Sequence, residues 1–491
     1  MIGIELGLYR VDAVRRIEAQ AMALPGHDDW ALMQRAGAAA FALLRTRWPS
    51  ARRIAVVCGS GNNGGDGYVV AALARAAGLD VDLIQVGAIP TRAPAAQAVV
   101  QLCGAGGHVA DLAALRQADV IVDAIFGIGF DRAPEGEACE AIEAMNRAGK
   151  PVLALDVPSG LNADSGHTPG ICVRAAATLA FIAWKRGLWT GAAAEVCGER
   201  QLARLDVQDA VFVDIGIDAR LMTSAALKSA LPPRARDAHK GHAGHVLVMG
   251  GDVGFGGAVM IAAAAAARSG AGLVSVATRT EHVPALLSGR PEVMARGVSA
   301  ANELDSLIGR ADVIALGPGL GQSSWSVALA HHACASGKPL VLDADALNLL
   351  ATRRIELSGE CVLTPHPGEA ARLLGCSVAD IERDRYAAVR ALAEQYDAVA
   401  VLKGAGSLVS DVGGAVAVCP FGNPGMASGG MGDALTGVIA AMWAQGLDAA
   451  EAARTGVLVH ALAGDRAAQH GGERGLLASD LVAELRTVVN P

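Results

Sequence analysis

The sequence predicts an α/β protein of two domains, each built on a mainly parallel sheet. Three observations lead there. From residue 53 onward, short apolar runs of buried-strand type alternate with helical stretches. Most of these runs are followed at once by glycine or a polar residue, as expected where strand ends carry ligand loops. The strand pattern lapses around residues 218–236, in a polar link that includes Pro232-Pro233. At about 150 residues per domain, a chain of 491 residues holds two large α/β domains as naturally as three smaller ones. The expected division is therefore 1–217, a linker at 218–236, and 237–491.

Composition narrows the function class. A hydrophobic fraction of 52% with 18% charged residues and 60 glycines describes a globular chain, not a disordered one. A net charge of -8 argues against nucleic acid or an anionic membrane as the main partner, and leaves small anionic ligands open. Cys58, Cys103, Cys139, Cys172, Cys197, Cys334, Cys361, Cys376 and Cys419 are scattered, with neither a paired spacing nor a Cys/His cluster. They read as reduced thiols and imply no zinc site. Met1 to Ala13 lacks the pattern of a secretory signal, and the apolar run Ala258 to Ala267 is too short to cross a bilayer. A cytoplasmic protein acting on small molecules, without nucleic acid or membrane and as a homo-oligomer, is expected.

Taken in order, Val11 to Met22 and Trp30 to Trp48 read as helices, the second with apolar residues at helical spacing. Arg53 to Cys58 is a buried strand. It runs into Gly59-Ser-Gly-Asn-Asn-Gly-Gly-Asp-Gly67 and a helix to about Ala77, which is neither a dinucleotide fingerprint nor a Walker loop but uses the same physics. Strands come next at Val81 to Val86, Asp119 to Ala124 and Pro151 to Asp156, with a helix around Ala138 to Ala148. Ala177 to Ala183 and Ala210 to Asp214 are strand-like. Asn63, Asp123, Asp156 and Ser159 all fall at strand ends, where an open parallel sheet gathers its ligands. Singly each is a turn former or helix cap. Together they outline a site, and oxygen donors without His or Cys suit a hard cation such as an alkali ion or Mg²⁺.

A fresh α/β series opens at Lys240, and Gly254 to Gly257 lead into an alanine-rich helix that carries Ala258 near its start. Strands are expected at Gly272 to Ala277, Ala311 to Leu316, Pro339 to Leu342, Cys361 to Leu363 and Ala398 to Leu402. The last four lead into Gly317-Pro-Gly-Leu-Gly321, Asp343-Ala-Asp345, Thr364-Pro-His366-Pro-Gly-Glu369 and Lys403-Gly-Ala-Gly-Ser407. His331-His332 lies in a helix away from these loops. Most informative is Asn423-Pro-Gly-Met-Ala-Ser-Gly-Gly-Met-Gly-Asp433, a glycine loop entering an apolar helix. Its N–H groups and the positive end of the helix form a seat for phosphate, and Asp433 at the mouth is placed to take a proton from a hydroxyl. As an isolated residue it would be read as a cap.

These motifs carry a resemblance. Gly61-Asn-Asn-Gly-Gly-Asp-Gly-Tyr68 with Leu155-Asp-Val-Pro-Ser-Gly160 resembles the epimerase domain of the bifunctional NAD(P)H-hydrate repair enzymes, over roughly residues 10–215. The Gly-Pro-Gly-Leu-Gly, Thr-Pro-His-Pro-Gly-Glu, Lys-Gly and Asn-Pro-Gly-Met-Ala-Ser-Gly-Gly-Met-Gly-Asp motifs resemble their dehydratase domain, over roughly residues 235–490. The resemblance implies a Rossmann-like doubly wound sheet followed by a ribokinase-like α/β domain. It implies that the first domain interconverts the R and S hydrates of NADH or NADPH, and that the second returns the S hydrate to NAD(P)H while consuming ADP with Mg²⁺.

By the same resemblance Asn62, Asn63, Gly64, Gly65 and Asp66 hold the hydrate, together with Gly127, Ile128, Gly129, Phe130, Asp131, Arg132 and Ala133. Asp156 is the acid/base residue, and Asn63, Asp123 and Ser159 bind K⁺. In the second domain Ala258, Gly319, His366 and Asp433 contact the hydrate. Lys403, Gly404, Ala405, Gly406 and Ser407, with Gly429, Gly430, Met431 and Gly432, hold the nucleotide. A ring hydroxyl leaves poorly until phosphorylated, and Asp433 would deprotonate it for attack on the terminal phosphate.

Ser407 and Ser428 stand where the family more often has Thr, which keeps the hydroxyl. Met431 replaces a Thr: nucleotide binding weakens if that hydroxyl meets phosphate, and nothing changes if it only packs. The rival readings are a small-alcohol kinase of the vitamin-precursor type with a regulatory N-terminal domain, and a nucleotide-binding sensor without turnover.

Overall fold

A computed structural model describes residues 6–104 and 109–491; Met1 to Glu5, part of the N-terminal stretch read above, lie outside the described residues. Contacts divide the chain into two units, one running to Arg220 and the other from Leu221 to Pro491.

The first unit is organised by β1 (Arg53–Cys58), β2 (Asp80–Gln85), β3 (Val120–Ala124), β4 (Val152–Leu155), β5 (Ala177–Phe181) and β6 (Glu199–Ala203). They form a six-stranded parallel sheet in the order β2-β1-β3-β4-β5-β6. The chain leaves β1 in one direction and resumes at β3 on the other side, so a crevice opens at the carboxyl ends of these neighbours. Both faces of the sheet are covered, which is why the strands read as nearly unbroken apolar runs. Val56 and Val122 pack toward helices α1 (Val11–Met22), α2 (Asp29–Arg47) and α3 (Asn62–Ala76). Val57 and Ile121 pack on the opposite face with α4 (Gly136–Arg147).

Two expectations are corrected in this unit, and one strand was not foreseen. Asn62 to Asp66 do not form a loop before the helix; they are its first turn, capped by Gly61. Close approach of chain explains the glycines there, since a Cβ on Gly64 would lie 2.0 Å from the Gly59 carbonyl oxygen. The stretch 210–214 is not a strand: Asp209–Phe212 is a 3-10 turn whose Val211 and Phe212 are buried without joining the sheet. In its place β6 completes the sheet with the half-exposed, polar sequence Glu-Arg-Gln-Leu-Ala, which carries no strand signal.

The second unit contains β7 (His245–Met249), β8 (Leu273–Thr278), β9 (Met294–Gly297), β10 (Val313–Leu316), β11 (Leu340–Leu342), β12 (Cys361–Leu363), β13 (Val399–Leu402), β14 (Leu408–Ser410) and β15 (Val416–Val418). Their order is β9-β8-β7-β10-β11-β12-β13-β14-β15, parallel as far as β13 and antiparallel beyond it. The direction of winding changes between β7 and β10. Strands β9, β14 and β15 were not foreseen, being short and lacking a clear period. Helices α5 (Gly256–Arg268), α6 (Pro367–Leu374), α7 (Met431–Ala444) and α8 (Ala449–Gly471) carry or support the candidate site residues of this unit. Helix α7 is buried along most of its length and shares one core with α5 and α8, as an all-apolar helix must. Among the described residues no helix is long and apolar enough to cross a membrane.

Candidate active sites

In the first unit, a cavity of about 830 Å³ opens at the carboxyl ends of β1, β3 and β4. Asn62, Asn63, Asp66, Gly127, Ile128, Gly129, Phe130 and Asp156 form part of its wall. Gly64 and Gly65 lie behind that wall, against Gly59 and against Met33 and Ala95. Asp131, Arg132 and Ala133 are not part of the wall; the first two are exposed.

Asp156 is the central group. It comes directly after β4 with φ 66, a conformation that L side chains rarely adopt and that persists only where surroundings enforce it. Its backbone N–H donates to Leu179 O (2.8 Å), and its Oδ1 accepts from Phe181 N (3.2 Å) and from Lys185 Nζ. Lys185, with its side chain 1% exposed, also donates to Phe181 O at 2.7 Å. The other carboxylate oxygen, Oδ2, is turned toward Gly127 on the cavity wall. Asp66 stands on the same wall, its carboxyl pushed well above the usual carboxylate range by burial and then by the charges of Asp156 and Glu18. Burial likewise raises Glu18. Sequence reasoning missed Glu18, Arg15 and Lys185. The helix α1 pair gave no sign beyond charge on an amphipathic helix, and Lys185 lies past the end of β5, outside any motif.

Beneath the cavity, Ser159 donates from Oγ to Asp123 Oδ1 (2.6 Å) and from its N–H to Asp123 Oδ2 (2.8 Å), while Ser159 Oγ accepts from Phe126 N (2.9 Å). Burial pushes Asp123 up to about 6, against the hydrogen bonds from Ser159 and Ile125. Asn63 donates from Nδ2 to Phe126 O at 2.9 Å, but its Oδ1 is buried with no hydrogen-bond partner. An orphaned acceptor, joined through Phe126 to the buried Ser159–Asp123 pair, offers the oxygen-donor chemistry a desolvated alkali cation needs. Among the described residues no group of three His, Cys, Asp or Glu is placed to hold a metal.

In the second unit the loop ends at Gly430, which caps α7 with φ 89, so the turn into the helix requires glycine. Asp433 falls inside the first turn and is not the cap. Burial raises it to about 6, with the Asp343 charge acting in the same direction and Lys403 against it. The Met431 side chain is only 5% exposed and packs in the core, which leaves only its backbone for contact with a ligand. His366 caps α6, accepting at Nδ1 from Gly368 N (3.0 Å), and its Nε2 lies 3.4 Å from Glu369 Oε1. Ala258 is in the first turn of α5, and a Cβ on Gly319 would meet it at 3.0 Å, so these two are neighbours. Lys403 to Ser407 form the turn between β13 and β14, with Ser407 Oγ donating to Gly404 O at 3.0 Å.

Comparison with known proteins fits each unit separately. Residues 246–487 match the family model described as NAD(P)H-hydrate dehydratase, and residues 30–187 match that of the YjeF-related protein N-terminus. A bifunctional NAD(P)H-hydrate repair enzyme of Coxiella burnetii is 49% identical over 487 residues, covering 99% of both chains. The chain belongs to the bifunctional NAD(P)H-hydrate repair enzymes.

The repair enzyme of Escherichia coli K12 is 42% identical over 493 residues, covering 100% of this chain and 95% of that one. Among solved structures, a ribokinase-like superfamily protein from Enterococcus faecalis V583 aligns with TM-score 0.52 at 29% identity, over 56% of this repair enzyme and 96% of that chain. The ADP/ATP-dependent NAD(P)H-hydrate dehydratase of Bacillus subtilis, co-crystallised with ATP/Mg²⁺, aligns with TM-score 0.52 at 30% identity, over 56% and 98%. The second unit of the repair enzyme is thus ribokinase-like, and the vitamin-precursor kinase reading gives way.

Proposed function

We propose that the chain carries its two activities at the two sites just described, epimerisation around Asp156 and dehydration around Asp433. Residues 1–217 form the epimerase domain, 218–236 the linker and 237–491 the dehydratase domain. In a dihydronicotinamide the ring double bond next to nitrogen is an enamine, so hydration puts the hydroxyl on the carbon bonded to nitrogen. That carbon is the one whose R and S forms interconvert. Asp156, fixed by Lys185 and Phe181 with one oxygen free toward the cavity, takes the hydroxyl proton. As the carbon–nitrogen bond opens to a carbonyl, the nitrogen takes a proton from Asp66, whose carboxyl is raised by burial on the same wall; the ring closes on the other face as both protons are returned.

The hydrate lies along Asn62, Asn63 and Asp66, with Gly64 and Gly65 shaping that turn from behind, and along Gly127 to Phe130, while Asp131 to Ala133 continue the segment outside the wall. Asn63, Asp123 and Ser159 would hold K⁺, a reading supported by the orphaned Asn63 Oδ1, and the ion would supply positive charge at these strand ends.

In the second domain Ala258, Gly319, His366 and Asp433 contact the S hydrate, and Lys403 to Ser407 with Gly429 to Gly432 hold ADP, which arrives as its Mg²⁺ complex. Asp433 takes the hydroxyl proton, and the hydroxyl oxygen attacks the terminal phosphorus, releasing AMP. The nitrogen lone pair then expels phosphate, the neighbouring carbon loses a proton, and NAD(P)H is re-formed. Free cysteines on both units suit the reducing cytoplasm where these cofactors are kept.

The observation that carries the dehydratase reading is the placement of Asp433: in the first turn of a buried helix, behind a positive-φ glycine and within the field of Lys403. The test is a pair of variants. Asp433→Asn should abolish dehydration and spare epimerisation, and Asp156→Asn should do the reverse. Loss of both activities from either change in a folded protein would overturn the two-site assignment.

A further inference from the structure

We propose that Asp343 is a positioning residue of the dehydration reaction: its buried carboxylate ties Lys403 to the first turns of α7 and sets a fixed negative charge behind Asp433. The inference rests on the reading of Asp433 as the base.

Asp343 comes directly after β11, the strand next to β10 in the sheet, and its side chain is 3% exposed. Oδ1 accepts from Lys403 Nζ at 2.6 Å, and Oδ2 accepts from Thr436 Oγ1 at 3.0 Å. Thr436 Oγ1 is also 3.0 Å from Gly432 O, so the hydroxyl bridges the carboxylate and the backbone of the first turn. A Cβ on Gly432 would lie 3.3 Å from both Asp343 Oδ2 and Lys403 Nζ. The ion pair therefore sits directly beneath the residue that precedes Asp433. The backbone is fitted to this approach: a Cβ on Gly317 would lie 1.9 Å from the Asp343 carbonyl oxygen.

A strand-end carboxylate of this kind is usually exposed or caps a helix; this one does neither. It precedes a short helix but makes no side-chain cap bond there. Burial alone would raise Asp343, yet Lys403, Thr364 and Thr436 hold it below the ordinary carboxylate range, so it keeps its charge. Lys403 responds in kind: burial works to lower it, and Asp343 and Glu369 outweigh that and raise it.

The other groups around the turn are placed differently. Glu369, on α6, stands 3.8 Å from Lys403 Nζ and receives the His366 N–H at 2.8 Å. His366 is lowered by burial first and is neutral. His460, on α8, is lowered to about 4 by burial and donates from Nε2 to Met431 O at 2.9 Å. Neither histidine brings charge to Asp433 near neutral pH. Asp343 and Lys403 are the groups whose charges move it, with opposite sign, and Asp343 has the larger effect.

The consequence is directional. A negative charge behind Asp433 makes it a stronger base, whereas an unscreened Lys403 would weaken it. Dehydration requires ionised Asp433, so kcat/KM falls on the acid side as that group takes up its proton.

The experiment is the pH profile of kcat/KM for S hydrate at saturating ADP and Mg²⁺, for the wild-type chain, Asp343→Asn and Thr436→Val. The wild-type acid limb should lie near 6. Asp343→Asn should lose about tenfold in kcat and move the limb to lower pH by half a unit or more; Thr436→Val, which keeps both charges, should lose activity without moving it. If Asp343→Asn does not fold, the double variant Asp343→Asn with Lys403→Gln replaces the ion pair by two amides. Its limb should still move down, because the larger of the two opposing effects is removed. A limb that stays in place or rises in the folded single or double variant overturns the inference. Dehydration surviving in Asp433→Asn would instead defeat the underlying reading of the base.

Discussion

Each unit buries a lysine against an aspartate at the end of a parallel strand, and the two pairs are used differently. In the first, Lys185 binds Asp156 itself, and the same carboxylate keeps its second oxygen on the cavity wall. In the second, Lys403 is bound by Asp343, while the carboxylate proposed to react, Asp433, is a separate group raised to about 6. The contrast mirrors the chemistry. Ring opening and closure need one firmly oriented proton acceptor and generate no lasting anion. Phosphoryl transfer needs a positive group near the nucleotide and a base that this group does not neutralise. Interposing Asp343 separates those two demands. Each pair also goes with a non-glycine residue of positive φ: Asp156 itself (φ 66), and Ala344 (φ 48), which follows Asp343.

The largest effects would break this comparison outright. Asp433→Asn should lower dehydration by roughly 10²–10⁴-fold, the range of general-base catalysis, with epimerisation within about twofold of wild type, both measured on the purified chain. Asp156→Asn should cost epimerisation on the same scale and leave turnover of pure S hydrate intact.

A smaller change sharpens the contrast. Lys185→Met leaves Asp156 buried without its partner, which costs stability on the order of 3–5 kcal/mol in denaturant unfolding of the first unit and lowers epimerisation with it. Unchanged stability would mean that the pair is solvated. Next, the wild-type dehydration rate should fall as pH drops through about 6, because a carboxylate raised above its usual value becomes protonated there and ceases to be a base. An acid limb near 4 would show that burial does not perturb Asp433. Smallest is the cation effect: exchanging K⁺ for Na⁺ should slow epimerisation several-fold while dehydration is unchanged, and equal rates in both salts would remove K⁺ from the account.

Much of this was legible in the sequence because parallel sheets write themselves plainly. Buried strands such as Arg53–Cys58 and Val313–Leu316 are short apolar runs, and the polar residues directly after them mark the ligand edge. The same rule fails at the margins. Glu199–Ala203 is polar because it lies at the edge of its sheet, and Val211 and Phe212 are apolar because they fill a core without pairing. The glycine run at 61–67 suggested an open loop, whereas its glycines serve the close approach of a helix turn to the preceding strand end.

Cavity-lining residues at motif positions, such as Asn63 and Asp156, could be named from the sequence. Those arriving from elsewhere could not: Glu18 comes from an N-terminal helix, and Lys185 is joined to Asp156 across 29 positions of sequence. Asp343 was noticed as a strand-end carboxylate, but its role depends on Lys403 and Thr436, which are 60 and 93 residues away. Distances of that kind are set by topology and carry no local signal.

The most direct measurement tracks reduced-nicotinamide absorbance while the Asp156→Asn protein acts on a mixture of R and S NADPH hydrate with ADP, Mg²⁺ and K⁺. Separate sites for the two reactions predict rapid conversion of the S fraction and then a halt, relieved by adding the Asp433→Asn protein. Continued conversion of the R fraction at the wild-type rate would contradict the assignment of epimerisation to Asp156.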